Sequence, residues 1–281
     1  MKIKKIVIIG MGLIGGSVGK ALIKRNLADE VVGICRRESS LDRAVREKSL
    51  TKGYVNNYEE ALRGAEIILI ATPVRAIKNV LKSLSGVISD TKILVSDAGS
   101  TKKEIVDYAA KFKDKFSFIG AHPLAGSEKS GVEYSSSDLF KDSVCILTPT
   151  KDSSIENCEK LKRLWESIGA VVHRMSPEDH DKFIAFSSHL PHVAAYALMG
   201  SLPEEFAENM VASGFKDTTR IASSDPELWK DIFMSNKENV IKAINCFNKT
   251  LSGLKEDISA GRDEALKEKL KKMKEMRDKI V

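Results

Sequence analysis

Residues 3–16 read IKKIVIIGMGLIGG, an apolar run that leads into three glycines spaced as Gly10-x-Gly12-x-x-Gly15. Such a run predicts a buried strand, and a helical pattern begins directly after it. Gly10 permits a tight turn, Gly12 lets the backbone approach a pyrophosphate, and Gly15 allows the helix to pack closely on the strand. We predict a dinucleotide site formed by Gly10, Gly12, Leu13, Ile14 and Gly15. The alternative is a tight turn that binds nothing.

From Ile3 to Val171 the chain alternates short β-branched runs with amphipathic segments. This order is typical of βαβ units, which form a mostly parallel sheet. We therefore predict an α/β fold with an amino-terminal Rossmann dinucleotide-binding domain. The expected strands are residues 6–9, 31–35, 67–71, 93–96, 118–121, 144–147 and 170–173, and the expected helices are 17–24, 41–48, 76–84, 102–112 and 155–168.

The pattern changes at Ser176, where Pro177 follows a residue type that commonly caps helices. No convincing strand comes after this point. We predict two domains, a Rossmann domain over residues 1–175 and an all-α domain over residues 176–281. The expected helices of the second domain are 177–190, 193–199, 203–212, 226–252 and a charged terminal helix.

Composition excludes several classes of protein. The glycines interrupt the apolar amino terminus, and it lacks a small-residue cleavage site, so we expect neither a signal peptide nor a membrane span. The four cysteines are scattered without a C-x-x-C pair, which indicates reduced thiols in the cytoplasm and no metal site. Net charge is +6, but the densest basic run, residues 255–279, is interleaved with acidic residues at helical spacing. We do not expect nucleic-acid binding.

The end of the second expected strand bears on which cofactor is used. NAD-binding proteins tend to carry an acidic residue there for the ribose 2′-hydroxyl. Here Cys35 is followed by Arg36 and Arg37, with Ser39 close behind. Guanidinium groups bind phosphate well, so these residues favour NADP. NAD remains the alternative if Glu38 points inward.

Two further loops follow buried strands, at Thr72-Pro73 and at Asp97-Ala-Gly-Ser100. Both are expected at the carboxyl edge of the sheet, where open α/β folds bind ligands. We therefore predict that Thr72, Pro73 and Asp97 contact the cofactor. Ser100 and Thr101 precede a helical run, so capping that helix is the alternative role for either residue.

His122 lies at the end of the next expected strand. Of the five histidines in the sequence, only His122 is expected at this edge of the sheet. An imidazole there is suited to take a proton from a hydroxyl while hydride leaves the same carbon. A structural role is the alternative, and spacing alone does not separate the two.

The chain resembles prephenate/arogenate dehydrogenases along almost its whole length. The segments that carry the resemblance, in the family's order, are GMGLIGGS, ATPVR, DAGSTK, HPLAGSEKSGVEYS, LTPT, SPEDHD, SHLPHVAAYAL and GFKDTTRIASSDPELWKDIF. The resemblance implies a Rossmann domain joined to a helical dimerisation and substrate domain, and a homodimer. It also implies oxidation and decarboxylation of prephenate or arogenate with a nicotinamide cofactor, in tyrosine biosynthesis.

By the same resemblance His122 and Ser100 are catalytic and hold the ring hydroxyl, and Arg220 binds a substrate carboxylate. His192 is expected near the substrate side chain, with His180 and Asp217 behind the contacting groups. Asp217 stands one helical turn before Arg220, where it would orient the guanidinium. The complete set of expected substrate-site residues is Arg220, His192, Ser188, Ser127, Glu128, Asp217 and His180.

Other classes of function stay open at this point. A β-hydroxyacid-type dehydrogenase would use a lysine, for which Lys237 or Lys242 could be nominated, but the likeness to that class stops at the Rossmann half. A non-catalytic redox sensor explains the glycines and leaves Ser100, His122 and Arg220 without a role. The sequence does not decide between prephenate and arogenate.

Overall fold

The protein is described here by a computed structural model that covers residues 2–126, 129–203 and 212–280. Its centre is an eight-stranded sheet in the order β3-β2-β1-β4-β5-β6-β7-β8. The strands are β1 Ile3–Ile9, β2 Ala28–Cys35, β3 Lys52–Val55, β4 Ile67–Ile70, β5 Leu94–Asp97, β6 Ser117–Pro123, β7 Val144–Thr148 and β8 Val171–Arg174.

The first six strands run parallel, and β7 pairs antiparallel with β6. The fold predicted from the alternating pattern is therefore confirmed. The sequence analysis missed β3, because its half-exposed run of Lys52–Val55 lacks a buried apolar core. The strand order reverses around β1, so the carboxyl ends of β1 and β4 form the crevice that binds ligands in such sheets.

Helices cover both faces of the sheet because the central strands are apolar on both sides. Ile6 and Ile8 pack into one buried cluster, and Val7 and Ile9 pack into the other. The helices of this part are α1 Leu13–Lys24, α2 Glu38–Arg46, α3 Tyr58–Leu62, α4 Val74–Val87, α5 Lys103–Ala109 and α6 Ile155–Ser167.

Among the described residues, only helices and their connections follow β8. Ser176 accepts a hydrogen bond from the backbone N–H of Asp179 at 3.0 Å and Pro177 occupies the first turn, as predicted. The helices that follow are α7 Pro177–Ile184, α8 Leu190–Gly200, α9 Ser213–Thr219, α10 Pro226–Ser235, α11 Lys237–Ser259 and α12 Asp263–Asp278.

Several predicted helix boundaries in this part were wrong. The expected break near residue 190 is absent, since a π-helical turn over Ala185–His189 joins α7 to α8. The expected helix over 226–252 ends at Ser235, and Asn236 separates α10 from α11. Helix α9 was not predicted. Most of the expected helix over 203–212 lies outside the described residues.

The chain divides into two compact units, Met1–Asn236 and Lys237–Val281. The first contains the sheet and the helices through α10. In the second, the buried Asp257 carboxylate binds Arg262 at 2.8 Å and also Lys269, which ties the end of α11 to α12. The predicted domain boundary between residues 175 and 176 falls between β8 and α7, and it stays a prediction.

Among the described residues, none of the helices combines the length and the apolar character that crossing a membrane requires.

Candidate active site

The glycine turn between β1 and α1 has the geometry that its spacing predicted. Gly10 has φ +97°, and a Cβ there would lie 2.7 Å from the carbonyl oxygen of Ala71. A Cβ on Gly15 would collide with the Gly10 carbonyl oxygen, so this glycine lets α1 lie against β1. By contrast, a Cβ on Gly12 would meet no protein atom within 4 Å. The turn therefore keeps an open space at the amino end of α1, which fits a pyrophosphate.

The other predicted cofactor residues lie around this turn and the neighbouring strand ends. Leu13 and Ile14 open α1 and are half-buried. Thr72 follows β4, and its buried hydroxyl has no hydrogen-bond partner among the described residues. Pro73 is exposed and precedes α4. Thr72 lies against the glycine turn, because its Cγ2 would be 3.0 Å from a Cβ on Gly10.

At the end of β2, Arg36, Arg37 and Ser39 are all exposed at the amino end of α2. The backbone carbonyl of Arg36 accepts a hydrogen bond from Asn56 at 3.2 Å, which fixes the turn. Two guanidinium groups and a hydroxyl thus stand near a helix amino terminus, an arrangement suited to a phosphate. Glu38 is exposed in the same turn.

His122 ends β6 at the same edge and belongs to a hydrogen-bonded chain of three side chains. Its Nδ1 lies 2.9 Å from Nε2 of His180, and Nδ1 of His180 lies 2.8 Å from a carboxylate oxygen of Asp181. His122 is 8% exposed, while His180 is fully buried. No described residue hydrogen-bonds to Nε2 of His122, so this nitrogen is available to a ligand.

The Asp181 carboxylate has a second set of partners. It accepts the backbone N–H of Lys102 at 2.7 Å and that of Lys103 at 3.0 Å, at the start of α5. The interpretation of Ser100 or Thr101 as the cap of this helix was wrong, because a carboxylate from α7 binds the N–H groups instead. Asn236 donates to the backbone carbonyl of Asp181 at 2.7 Å.

Asp97 was predicted as a cofactor contact, and the structure places its side chain in the interior. The carboxylate is fully buried, pairs with the buried ammonium of Lys102 and accepts the Gly99 N–H at 2.8 Å. Lys102 also donates to the carbonyl oxygen of Ala121 at 2.8 Å, next to His122.

The π-helical turn brings a second group of rings to the site region. His192 stacks on Trp229 with ring centroids 3.4 Å apart, and its Nδ1 lies 3.0 Å from the carbonyl oxygen of Ser188. His189 is buried with its edge toward Trp229, and its Nε2 has no partner among the described residues. Trp229 forms one face of this ring cluster.

Burial keeps the imidazoles neutral. It lowers the pKa of His122 well below its ordinary 6.5, and the neighbouring His180, Lys102 and His189 add to the effect. Burial also lowers the pKa of His180, although the hydrogen bond that His180 donates to Asp181 opposes this shift, and burial brings the pKa of His189 to about 4. These rings are uncharged near neutral pH, as a proton acceptor must be.

The remaining predicted site residues are less constrained. Ser100 and Ser188 are half-buried, and Asp217 and Arg220 are exposed on and just after α9. Ser127 and Glu128 lie outside the described residues.

Sequence reasoning did not single out Asp181, Lys102, Asn236 or His189. Asp181 and Lys102 stand in SPEDHD and DAGSTK, two of the segments that carried the resemblance, so the signal was present. Asp181 and Lys102 are 79 positions apart, which is why spacing did not reveal the contact between them. Across residues 2–126, 129–203 and 212–280, no cluster of three or more His, Cys, Asp or Glu side chains is arranged to hold a metal ion.

A dinucleotide-binding turn, together with a neutral histidine at the same sheet edge, is the arrangement of an oxidoreductase that couples hydride transfer to proton transfer. Residues 18–174 match the nucleotide-binding domain of prephenate dehydrogenase, and residues 176–272 match its dimerization domain. The chain belongs to the prephenate dehydrogenase family.

Individual proteins agree with this family. A prephenate dehydrogenase of Bacillus subtilis is 34% identical over 84% of this chain and 65% of its own length. A cyclohexadienyl dehydrogenase of Zymomonas mobilis is 30% identical over 98% of this chain and 95% of its own. The crystal structure of prephenate dehydrogenase from A. aeolicus, in complex with hydroxyphenyl propionate and NAD+, superposes with a TM-score of 0.92 at 38% identity, covering 100% of this chain and 99% of that one.

The chain is accordingly a nicotinamide-dependent oxidoreductase of tyrosine biosynthesis. Solved 3-hydroxyisobutyrate dehydrogenases share the fold at 11–12% identity and TM-scores of 0.54 and 0.59.

The glycine turn gives a paired prediction. Gly12→Ala should leave the free energy of unfolding within about 1 kcal/mol of wild type, because its methyl group meets no protein atom. The same methyl group fills the space for the pyrophosphate, so the cofactor Kd should rise roughly tenfold or more. Gly15→Ala is the counterpart: it should lose about 1–3 kcal/mol of stability, because its methyl group meets the Gly10 carbonyl. Urea unfolding and cofactor titration measure both; equal stability of the two variants would contradict the packing argument.

The lowered pKa of His122 gives a prediction for pH dependence. The base is active only when unprotonated, so kcat/KM should hold as pH falls to 6.5 and decline only below it, where His122 becomes protonated. A profile of kcat/KM against pH checks this. An acid limb centred at or above 6.5 would show that His122 is not the neutral, buried base described here.

Proposed function

We propose that the chain catalyses the oxidative decarboxylation of prephenate to 4-hydroxyphenylpyruvate, or of arogenate to tyrosine. In this proposal His122 is the proton acceptor, and His180 and Asp181 hold it in its reactive form. The observation that carries this proposal is the hydrogen-bonded chain from Asp181 through His180 to His122, with steps of 2.8 and 2.9 Å. It ends at the carboxyl edge of the sheet, at the same edge as the glycine turn.

The chain of hydrogen bonds selects one tautomer at each ring. A carboxylate only accepts, so Nδ1 of His180 carries a proton toward Asp181 and Nε2 of neutral His180 is an acceptor. Nδ1 of His122 must then donate to it, which leaves the lone pair on Nε2 of His122. That nitrogen is the one with no partner among the described residues, so the network supplies a base aimed at the site.

The proton and electron balance follows from this arrangement. Bound nicotinamide supplies the acceptor for the hydride that leaves C4 of the ring. His122 takes the proton of the C4 hydroxyl, which gives a ring ketone. The ring carboxylate then leaves as carbon dioxide, its bonding electrons make the ring aromatic, and the phenolate recovers the proton from His122. Ser100, at the end of the loop after β5, is proposed to hydrogen-bond the same oxygen.

Anionic groups of the substrate require fixed cations and donors. We propose that Arg220 binds a substrate carboxylate through charge-assisted hydrogen bonds, with Asp217 one turn before it. His192, stacked on Trp229, and Ser188 would contact the substrate side chain. The roles of Ser127 and Glu128 remain predictions about residues outside the described ranges.

For the cofactor we propose NADP, with Arg36, Arg37 and Ser39 around the 2′-phosphate. Three exposed polar groups at the amino end of α2 support this choice. NAD is the alternative, with Glu38 on the ribose, and NAD+ is the cofactor in the similar A. aeolicus structure. Asp97, with its buried side chain, would act on the cofactor only through the backbone of its loop.

We also propose that the protein is a cytoplasmic homodimer formed through the helical domain, which matches a dimerization domain in the family comparison. The three buried cysteines are unpaired, and so is the exposed Cys246, which agrees with a reducing compartment. Sedimentation at micromolar concentration tests the dimer.

The function is tested by following reduced nicotinamide by absorbance with prephenate or arogenate, each with NAD or NADP. Turnover in the NADP reactions at lower KM than with NAD is expected. Absence of turnover in all four combinations, with cofactor binding intact, would overturn the proposed reaction and favour a redox sensor.

Replacing His122 by Asn should lower kcat by about 10²–10⁴-fold while cofactor affinity stays unchanged, because the base is lost and the glycine turn is untouched. His173→Asn is the matched control, since His173 is exposed on β8. Steady-state kinetics and cofactor titration separate the two effects. Undiminished turnover in the His122 variant would remove it from the mechanism.

Arg220→Ala should mainly raise the substrate KM, because the clamp binds the ground state and the transition state alike. The control is Arg174→Ala, an exposed arginine on β8 that pairs with Glu159. An unchanged KM in the Arg220 variant, measured by initial rates, would show that the carboxylate binds elsewhere.

A further inference from the structure

A fully buried ion pair lies behind the active-site edge. The Lys102 ammonium and the Asp97 carboxylate have no solvent exposure and pair directly. Burying two charges is costly unless each is well paired. Neither side chain reaches the surface, so neither contacts cofactor or substrate, and the roles proposed above leave the pair unexplained.

Neighbouring glycines make room for the pair. A Cβ on Gly99 would lie 2.8 Å from a carboxylate oxygen of Asp97, and a Cβ on Gly120 would lie 3.2 Å from Cδ of Lys102. Any larger residue at either position would crowd the pair. At Gly120 a Cβ would meet Oγ1 of Thr148 first, at 2.5 Å, so the small residue there serves the contact between β6 and β7 as well as the ion pair.

Lys102 joins the elements that present the reacting groups. Its ammonium binds Asp97 at the end of β5 and the Ala121 carbonyl of β6, the residue before His122. Its backbone N–H binds Asp181, the carboxylate that orients His180. The side chain of Lys102 therefore contacts the strand that carries His122, and its backbone contacts the Asp181 carboxylate that binds His180.

Several titratable side chains surround His122. Lys102 and Asp97 lie behind it, His180 and Asp181 face it from α7, His189 approaches from the π-helical turn, and the Cys145 thiol stands on β7. Burial raises the pKa of Cys145, so this thiol stays uncharged. Burial lowers the pKa of Lys102, and the Asp97 and Asp181 carboxylates oppose that shift. As an ammonium, Lys102 adds to the effects of burial and of His180, which lower the pKa of His122.

We propose that Lys102, paired with Asp97, is a positioning residue for the reaction: it fixes β6 against the loop that bears Ser100 and keeps His122 an unprotonated base. This inference rests on the proposed role of His122. The ammonium form is supported by its two acceptors, the carboxylate and the Ala121 carbonyl. The carboxylate form is supported by two donors, the ammonium and the Gly99 N–H.

The test uses the double variant Asp97→Asn/Lys102→Met, which removes both charges, retains similar side-chain volumes and leaves no unpaired buried ion. Lys5→Met is the matched control, since Lys5 is also buried and donates to a backbone carbonyl, that of Arg63, at 2.9 Å. Histidine-selective ¹⁵N NMR reads the titration of His122, which is assigned by its loss in His122→Asn.

In the double variant, His122 should titrate at a higher pH, because Lys102 lowers the pKa of His122 whereas Asp97, the other charge removed, is not among the groups that shift it. The acid limb of kcat/KM should move up by the same amount, and kcat should fall at the pH optimum as β6 loses its tie to β5. Lys5→Met should show neither shift. A folded double variant with unchanged His122 titration and an unchanged acid limb overturns the proposal.

The NMR readout needs no turnover, so the ion pair's effect on His122 can be upheld even if the proposed reaction fails. Should the double variant not fold, ¹⁵N-lysine spectra of the wild type decide. Among the described residues, Lys102 is the one lysine that has no solvent exposure, which distinguishes its ammonium group from the others. A slowly exchanging ammonium signal near neutral pH is expected, and a neutral amine in its place overturns the proposal.

Discussion

The active site depends on one carboxylate that serves two elements at once. Asp181 closes the amino end of α5 through two backbone N–H groups and binds the ring of His180 with an oxygen of the same carboxylate. The helix after β5 and the helix after β8 are thereby held in one geometry. His122 occupies a defined position because its only ring partner among the described residues, His180, is fixed in this way.

Burial gives this network its chemical effect. In a low-dielectric interior a satisfied polar network is rigid, and a group without a partner is costly. The same burial disfavours charged imidazole, so His122, His180 and His189 are neutral. The proposed ammonium form of Lys102 beside them strengthens this preference. Rigid orientation and a neutral base thus have a common physical origin.

The two halves of the site are built differently. The cofactor half consists of backbone geometry, namely a positive φ at Gly10 and an open space at Gly12, and it depends little on side-chain chemistry. The proposed catalytic half consists of side chains from β6, α7, α10 and the π-helical turn that meet at the carboxyl edge. The π-helical turn presents His189 and leads into α8, where His192 stacks on Trp229. This division allows one dinucleotide scaffold to carry different reactions.

The sequence by itself determined the α/β fold, the glycine turn, the start of the helical part at Ser176 and the edge on which His122 lies. These features follow from local patterns: residue period, glycine spacing and capping residues act over a few positions. Three features became visible only in the folded structure: Asp181 caps α5, Asp97 faces Lys102 rather than the cofactor, and α7 continues through a π-helical turn. The cap joins residues 79 positions apart, which only packing of the folded chain brings together. Asp97 and Lys102 are five positions apart, but their pairing depends on the complete burial of both side chains, which the surrounding fold provides.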